Sequence, residues 1–563
     1  MRRFHWENDR LIETQKGGEG NPIFSKMKFK TAFGISLFWL GLFLVVGSGC
    51  RRQGGEVSSE AVEGQVPRLR ELDFTPFESA MGRLSSESVR RVTKLIEGST
   101  VLQVQAALQA KEVTAEELTL VLLDRIRRYD GRLRSYIELN PGCLEEARAS
   151  DRERAEGRWR GPLHGIPLSL KDNIGTVAPM HTTAGAEILL NHSPAKEAVL
   201  VTKLKAAGAV VLGKAALSEL AGVLTTEPAG YNAVSGIGVN PYGEGFPVTG
   251  SSSGSAIATS AGLAMVSVGT ETSGSLIAPA SMNGVVGMKP SLGVVSGEGV
   301  VPLIRYQDSA GPVGRWVADA AMLLGAMDEG EEDYVEGLKA NALDGVVVGV
   351  LRAGILAKGE GGEEGEWLRR IDEGLSRAKA VSRDMGENFE GKPGLFPVIC
   401  LGLSVDTLGY IAGTGAEVRT VGELKTYNEA RRETRAPRGQ NILEAATQVL
   451  GAIEKQTGVA EGDLKGVYEE AAMEVRGEAR ALLDKAFAES GAEVLVSLSN
   501  VHSALYATAG YPAITVPLGV NGEGSPNGVT FIGKAGADAK LLAYAFAFEQ
   551  ATRHRSVPES VRE

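Results

Sequence analysis

Cysteine and histidine are scarce in this chain: three and six among 563 residues. Cys50, Cys143 and Cys400 have no metal-ligand spacing and are too few for a disulfide framework. No Cys/His cluster suggests zinc, and no Gly-x-Gly-x-x-Gly follows a strand-like run, so no metal or other cofactor is expected. Basic stripes are missing too. The 59 Lys and Arg stand against 70 Asp and Glu, a net charge of −11. That argues against a nucleic-acid partner, because nothing is arrayed to neutralise phosphates. Internal repeats and a Pro-rich hinge are also lacking, which favours one continuous domain over two. Glycine, by contrast, is plentiful at 72 residues. The glycines are spread among apolar runs, the pattern of many tight loops rather than of collagen or a linker.

The first 50 residues read as a targeting segment. Lys28 and Lys30 precede an apolar run over 31–46, shorter than the roughly twenty residues a spanning helix needs. Gly47-Ser48-Gly49-Cys50 follows. A basic region, an apolar region and small residues before a cysteine form a secretory signal. This one is similar to a bacterial lipoprotein signal, although Gly47 stands where leucine is usual. The expectation is an exported protein, periplasmic or membrane-anchored through lipidated Cys50, with Met27 as the better start. The competing reading is an uncleaved anchor. Residues 51–84 read as a flexible tether, and 85–563 as the folded domain.

Within that domain short apolar strands alternate with helices. Val101 to Leu108 and Leu118 to Tyr129 have helical spacing, the second preceded by Thr114-Ala-Glu-Glu117 as a capping box. Cys143 to Arg158, Val199 to Ala207, Ser255 to Ala264 and Leu541 to Thr552 also read as helices. Strands are expected at Ile137, Ile166–Leu170, Ala209–Leu212, Met265–Val268, Val285–Met288, Val347–Leu351, Val494–Ser497, Ala513–Pro517 and Val529–Ile532. The stretch 330–440, richer in charge and glycine, reads as a covering layer of helices. The fold class is α/β, a single large domain with a central mixed sheet covered by helices.

Three segments carry the chemistry. Lys171 lies in Gly-Pro-Leu-His-Gly-Ile-Pro-Leu-Ser-Leu-Lys-Asp-Asn (161–173), Ser251 in Thr-Gly-Ser-Ser-Ser-Gly-Ser (249–255), and Ser275 in Gly-Thr-Glu-Thr-Ser-Gly-Ser (269–275). A serine hydroxyl is a weak nucleophile until a base takes its proton. A lysine serves as that base only when neutral, and burial lowers its pKa from about 10.4. Lys171 leaves an apolar strand and is expected to point into packed protein. Most lysines are solvated surface charges; the flanking Pro162, Gly165 and Pro167 make that reading weaker here. Glycine-rich turns let amide N–H groups aim at a developing oxyanion, and those of Ser273 and Gly274 are the natural donors.

These segments resemble the amidase signature family over Gly161 to Pro290. The likeness extends through Gly-Val-Val-Gly-Met-Lys-Pro (284–290) and Gln-Asp-Ser-Ala-Gly-Pro (307–312), and resumes at Ala509 to Pro517, Phe531 to Gly533 and Glu549 to Thr552. The resemblance implies the amidase signature fold and a Ser-cisSer-Lys triad. Ser275 is the implied nucleophile. Ser251, after a cis bond to Gly250, relays protons, and Lys171 is the base. Ser252 and Thr272 are the implied supporting hydrogen-bond partners. The implied reaction is hydrolysis of a carboxylic or C-terminal peptide amide to acid and ammonia through an acyl-enzyme. Departures from the pattern are Ser253, Glu271, Ser273 and Leu276-Ile277, where Gly, Asp, Gly and Ile-Arg are usual. With Asn428 and Pro437-Arg438-Gly439-Gln440 they are similar to the peptide amidase branch. The missing arginine removes a fixed charge, consistent with a neutral substrate.

Other readings compete. Gly250-Ser251-Ser252-Ser253-Gly254 formally matches the Gly-x-Ser-x-Gly elbow, which would make Ser252 the nucleophile with His502 or His554 as base. Ser376-Arg377-Ala378-Lys379 matches Ser-x-x-Lys, but no Lys-Thr-Gly follows. Further alternatives are an exported esterase or aryl-acylamidase, a non-catalytic binding protein on the same scaffold, and the subunit that amidates glutamyl-tRNA. His164 reads as structural, and His181 begins a loop that could border the pocket.

Overall fold

Strand β2 (Pro167–Lys171) is the third strand from the β1 edge of an eleven-stranded sheet, and all five of its residues are buried. The computed structural model describes residues 68–562 except 226–227, 331, 353–354, 356–361 and 387–393. The expected signal at 1–50 and Cys50 lie outside the described residues. Around β2 stand β1 (Tyr136–Leu139), β3 (Val210–Ala215), β6 (Val266–Glu271), β7 (Val286–Lys289), β8 (Ser309–Gly314), β9 (Val347–Val350), β10 (Val381–Asp384), β11 (Val494–Leu498), β12 (Ala513–Val520) and β13 (Pro526–Ile532). A separate two-stranded hairpin pairs β4 (Tyr231–Asn232) with β5 (Gly236–Ile237). The sheet order is β1-β3-β2-β6-β8-β7-β12-β13-β11-β9-β10. It is mixed: β3, β2 and β6 run parallel, as do β11, β9 and β10, and the remaining neighbours are antiparallel. Buried on both faces, strands such as Val210–Ala215 read as continuous apolar runs rather than alternating ones.

Two strands of the large sheet escape the sequence pattern for opposite reasons. β8 is Ser-Ala-Gly-Pro-Val-Gly, which reads as a turn, yet every residue is buried in the middle of the sheet between β6 and β7. Small residues are required there: a Cβ on Gly311 would sit 2.0 Å from the Met288 carbonyl oxygen. β10 is exposed at all four positions and continues the sheet edge by backbone pairing to β9. The stretch 330–440 is therefore not only helical cover.

The N-terminal boundary also differs from expectation. Residues 68–84, expected as the end of a tether, are packed onto the domain. Phe77 is fully buried, Arg68 pairs with Asp130 at 2.7 Å, and the Leu69 amide donates to the Val234 carbonyl. Such isolated anchors hold the segment and are too sparse to show as periodicity. Thr114 caps the helix Ala115–Leu133 through the Glu117 amide, but no reciprocal box forms, because the Glu117 carboxylate is taken by Arg91 and Ser88. Helix Leu395–Gly413, broken by a π-turn over Leu403–Thr407, packs with Val421, Leu443, Leu450 and Tyr468 in a second apolar cluster. That layer brings Asp406 to the Arg305 amide and Thr407 to the Pro302 carbonyl.

Candidate active site

The C-terminal ends of parallel strands β2 and β6 lie side by side, with Leu170 opposite Val268. In open α/β sheets this is where ligands bind. Lys171 ends β2 and is wholly buried. Its Nζ lies 2.7 Å from Ser251 Oγ and within hydrogen-bond reach of Thr270 Oγ1 at 2.8 Å and of the Thr270 carbonyl at 3.2 Å. Asn173 Nδ2 donates to the same Thr270 hydroxyl at 3.0 Å. Burial pushes the Lys171 amine down to about 7, opposed by the nearby charges of Asp308 and Glu271.

Ser251 is 2% exposed and follows a cis peptide bond from Gly250. The next residue ties this loop to the second serine loop: the Ser252 amide donates to the Ser275 carbonyl at 2.9 Å. Ser275 itself is half-buried, more open than Lys171 or Ser251. Gly274 before it sits at φ +78°, a left-handed position that only glycine takes without strain. The amides of Ser273 and Gly274 donate to no protein group among the described residues.

The loop bearing Ser275 is braced from below and from the side. Glu271 Oε2 accepts from the Leu276 and Ile277 amides at 2.9 and 3.0 Å. Thr272 Oγ1 donates to Asp308 Oδ1 at 2.5 Å, and Gln307 Nε2 donates to the Thr272 carbonyl at 2.6 Å. Asp308 Oδ2 accepts from the Leu303 and Ile304 amides, and burial raises the Asp308 carboxyl to about 6. Nothing in the sequence singles out Thr270, Gln307 or Asp308 for a role. Asp308 stands in a family motif, but only the fold shows that it reaches both Thr272 and the field of Lys171.

Ser252 is placed differently from the elbow reading. Its hydroxyl is fully buried, donating to the Thr270 carbonyl at 3.0 Å and accepting from the Thr270 amide at 3.2 Å. Its position joins the two loops and leaves no open face for attack. His502 Nδ1 is 2.6 Å from Ser497 Oγ instead. His164 is buried beside Glu153, and His181 Nδ1 bonds Glu138 at 2.8 Å. Ser376 and Lys379 are both exposed at the end of helix Glu363–Arg377. Among the described residues no group of acidic, His and Cys side chains could hold a metal ion.

A family model described as Amidase matches residues 117–352. A probable amidase of Arabidopsis thaliana is 34% identical over 501 residues, spanning 83% of this chain and 92% of that protein. This chain belongs to the amidase signature family. A glutamyl-tRNA(Gln) amidotransferase subunit from Moorella thermoacetica is 31% identical over 82% of this chain and 98% of its own. Among solved structures, an amidase family protein from Bacillus anthracis matches with a TM-score of 0.79 at 32% identity, over 86% of this chain and 97% of that one. The peptide amidase from Stenotrophomonas maltophilia matches with a TM-score of 0.73 at 35% identity, over 83% and 99%.

The departures of this amidase from the usual pattern are local substitutions of contact. Glu271, longer than aspartate, spans to two amides at the start of helix Ile277–Met282. Ile277 is fully buried in the apolar cluster that includes Leu483, Phe487 and Leu505, so position 277 contributes packing rather than a surface of the pocket. Ser273 brings its hydroxyl to 3.4 Å from Ser503 Oγ. Asn428 and Gln440 are buried and bonded to each other at 3.2 Å, joining helix Val421–Glu429 to helix Asn441–Thr457.

Proposed function

We propose that this amidase hydrolyses a carboxylic or C-terminal peptide amide through a Ser275–Ser251–Lys171 triad and an acyl-enzyme. The observation that carries the reading is the buried Lys171 amine at 2.7 Å from the Ser251 hydroxyl. A neutral amine has two N–H bonds and one lone pair. Donating to the Thr270 carbonyl and hydroxyl uses both N–H bonds, and the lone pair is left for the Ser251 proton. Ser251 Oγ then takes the Ser275 proton as Ser275 Oγ attacks the carbonyl carbon. The amides of Ser273 and Gly274 stabilise the oxyanion, with Thr272 holding that turn against Asp308. Collapse breaks the C–N bond while Lys171 returns its proton through Ser251 to the departing nitrogen, releasing ammonia. Water repeats the attack on the acyl-enzyme and frees the acid and Ser275.

The likeness to a peptide amidase at 35% identity supports peptide amides as substrates. The acidic balance and the expected export weigh against a glutamyl-tRNA substrate. Ammonia release from peptide amides, aryl amides and short aliphatic amides tests the reading. Wild type turns over at least one of them and Ser275→Ala none; equal activity of the two proteins contradicts it. Export with a lipid on Cys50 rests on the sequence at 27–50. Labelling with radioactive palmitate, lost in Cys50→Ala, is the expected result; label-free wild type in a bacterial host overturns the lipid anchor.

A further inference from the structure

Two buried lysines end neighbouring strands and serve opposite faces of the sheet. Lys214 on β3 is the partner of Leu170, and Lys171 on β2 is the partner of Ala215. Strand alternation therefore sends the two amines to opposite sides. Lys171 reaches Ser251 on one face. On the other, Lys214 is wholly buried and gathers the loop that leaves β2. Its Nζ donates to the Ile174 carbonyl at 2.7 Å, the His181 carbonyl at 2.9 Å and the Thr182 hydroxyl at 3.1 Å, and lies 3.3 Å from Asp172 Oδ1. The Ala184 amide closes the same loop onto the Asp172 carbonyl at 3.1 Å. Loops leaving the C-terminal ends of parallel strands wall the ligand site in open sheets, and residues 172–184 form such a loop directly after Lys171.

This loop is also held from outside, by residues far from it in sequence. Glu138, on the edge strand β1, is the partner of Lys214 across the ladder. Its Oε2 accepts from the His181 amide and its Oε1 bonds His181 Nδ1, both at 2.8 Å. Arg70, ahead of the first long helices, completes the line. Its Nη1 lies 3.3 Å from Glu138 Oε1, while Nη2 donates to the Leu190 carbonyl. Charge alternates from Arg70 through Glu138 and Lys214 to Asp172, the neighbour of Lys171.

We infer that Arg70 and Glu138 are positioning residues for the reaction, fixing residues 172–184 through His181 and Lys214. The segment 68–77 is then part of the support of the site and not only a join to the tether. The inference rests on the proposed triad, which places the reaction at Lys171. The Arg70–Glu138 pair is partly exposed, 17% and 15%, and such pairs add little to stability; what this one sets is the place of the loop. Arg68 supplies the contrast. It anchors the same segment to Asp130 and to the Tyr136 carbonyl, both at 2.7 Å, and among the described residues none of its bonds reaches 172–184.

The test sets Arg70→Met and Glu138→Gln against Arg68→Met in the full chain. Ammonia release is followed on whichever of the peptide, aryl and aliphatic amides wild type hydrolyses fastest. Arg70→Met and Glu138→Gln each raise KM about threefold or more with kcat within about twofold of wild type. The double variant is no worse than either single, because both break one line. Arg68→Met lowers the melting midpoint without that rise in KM. Hydrogen exchange over 174–184 reads the loop itself: it quickens in Arg70→Met and not in Arg68→Met. Unchanged KM or unchanged exchange in Arg70→Met, or equal effects in Arg68→Met, overturns the inference and leaves the amidase reading standing. A wild type inert on every amide removes both.

Discussion

Replacing Lys171 by methionine removes the proposed base and, at neutral pH, raises the stability of the fold. Moving the amine from its ordinary 10.5 to about 7 by burial costs roughly 4 kcal/mol at pH 7, at about 1.4 kcal/mol for each pH unit. Methionine is close in volume and carries no charge, so that cost disappears. Against it stands the loss of the bonds to Ser251 and Thr270, about 1–3 kcal/mol for the polar groups left behind. The net gain at pH 7 is about 2 kcal/mol by these two terms. The sign of the pH dependence follows from proton binding. Between pH 7 and 10.5 the unfolded lysine is protonated and the folded one is not, so the unfolded state binds more protons and wild-type stability rises with pH across this window. By about pH 10 the penalty is nearly gone and the variant is the less stable protein. Thermal melts of Lys171→Met and wild type at matched pH values measure this. The midpoint of the variant is higher at neutral pH, and the gap shrinks and reverses as the solution is made alkaline. A gap that stays constant with pH means that the folded protein keeps Lys171 protonated, which refutes the desolvation argument.

Asp308→Asn removes a negative charge that raises the Lys171 pKa, so the acid limb of kcat/KM, expected near pH 7 in wild type, moves to lower pH. A loss of kcat without that displacement would reduce Asp308 to a brace for Thr272. Lys214→Met strands Asp172, its partner at 3.3 Å with both side chains wholly buried. The expected destabilisation is about 3–5 kcal/mol, read by chemical denaturation, with higher KM because Lys214 also holds the Ile174 and His181 carbonyls. Gly311→Ala puts a methyl group into the Met288 carbonyl in the middle of the sheet; a loss of about 1–3 kcal/mol or more is expected, seen as a lower melting midpoint and soluble yield.

The parts legible in the sequence are those where residue type and chemistry coincide. A lysine at the end of an apolar strand and serines in glycine turns need no knowledge of the topology, and strand β2 delivers Lys171 where its pattern says. What the sequence could not convey depends on contacts between distant segments. Asp308 stands in a motif, but its bond to Thr272 is visible only once the chain entering β8 is placed beside that turn, and β8 hides because Gly311 and Pro312 are turn residues everywhere except where crowding leaves room for nothing larger. β10 has no apolar face to betray it. Thr407 and Asp406 sit on an apolar helix whose sequence suggests only cover, and Asn173 acquires meaning when its bond to Thr270 is known. Ile277 shows the converse: a missing charge read from a motif is, in the fold, a core position.

The central claim is that Ser275 is the nucleophile and that its reactivity is supplied by Lys171 through Ser251. Mass spectrometry of peptides after treatment with a fluorophosphonate tests it most directly. The account predicts a single adduct on Ser275 at neutral pH, absent from Ser275→Ala and about a hundredfold or more slower to form in Lys171→Ala. An adduct on Ser252, or labelling of Ser275 at an undiminished rate without the lysine, would contradict it.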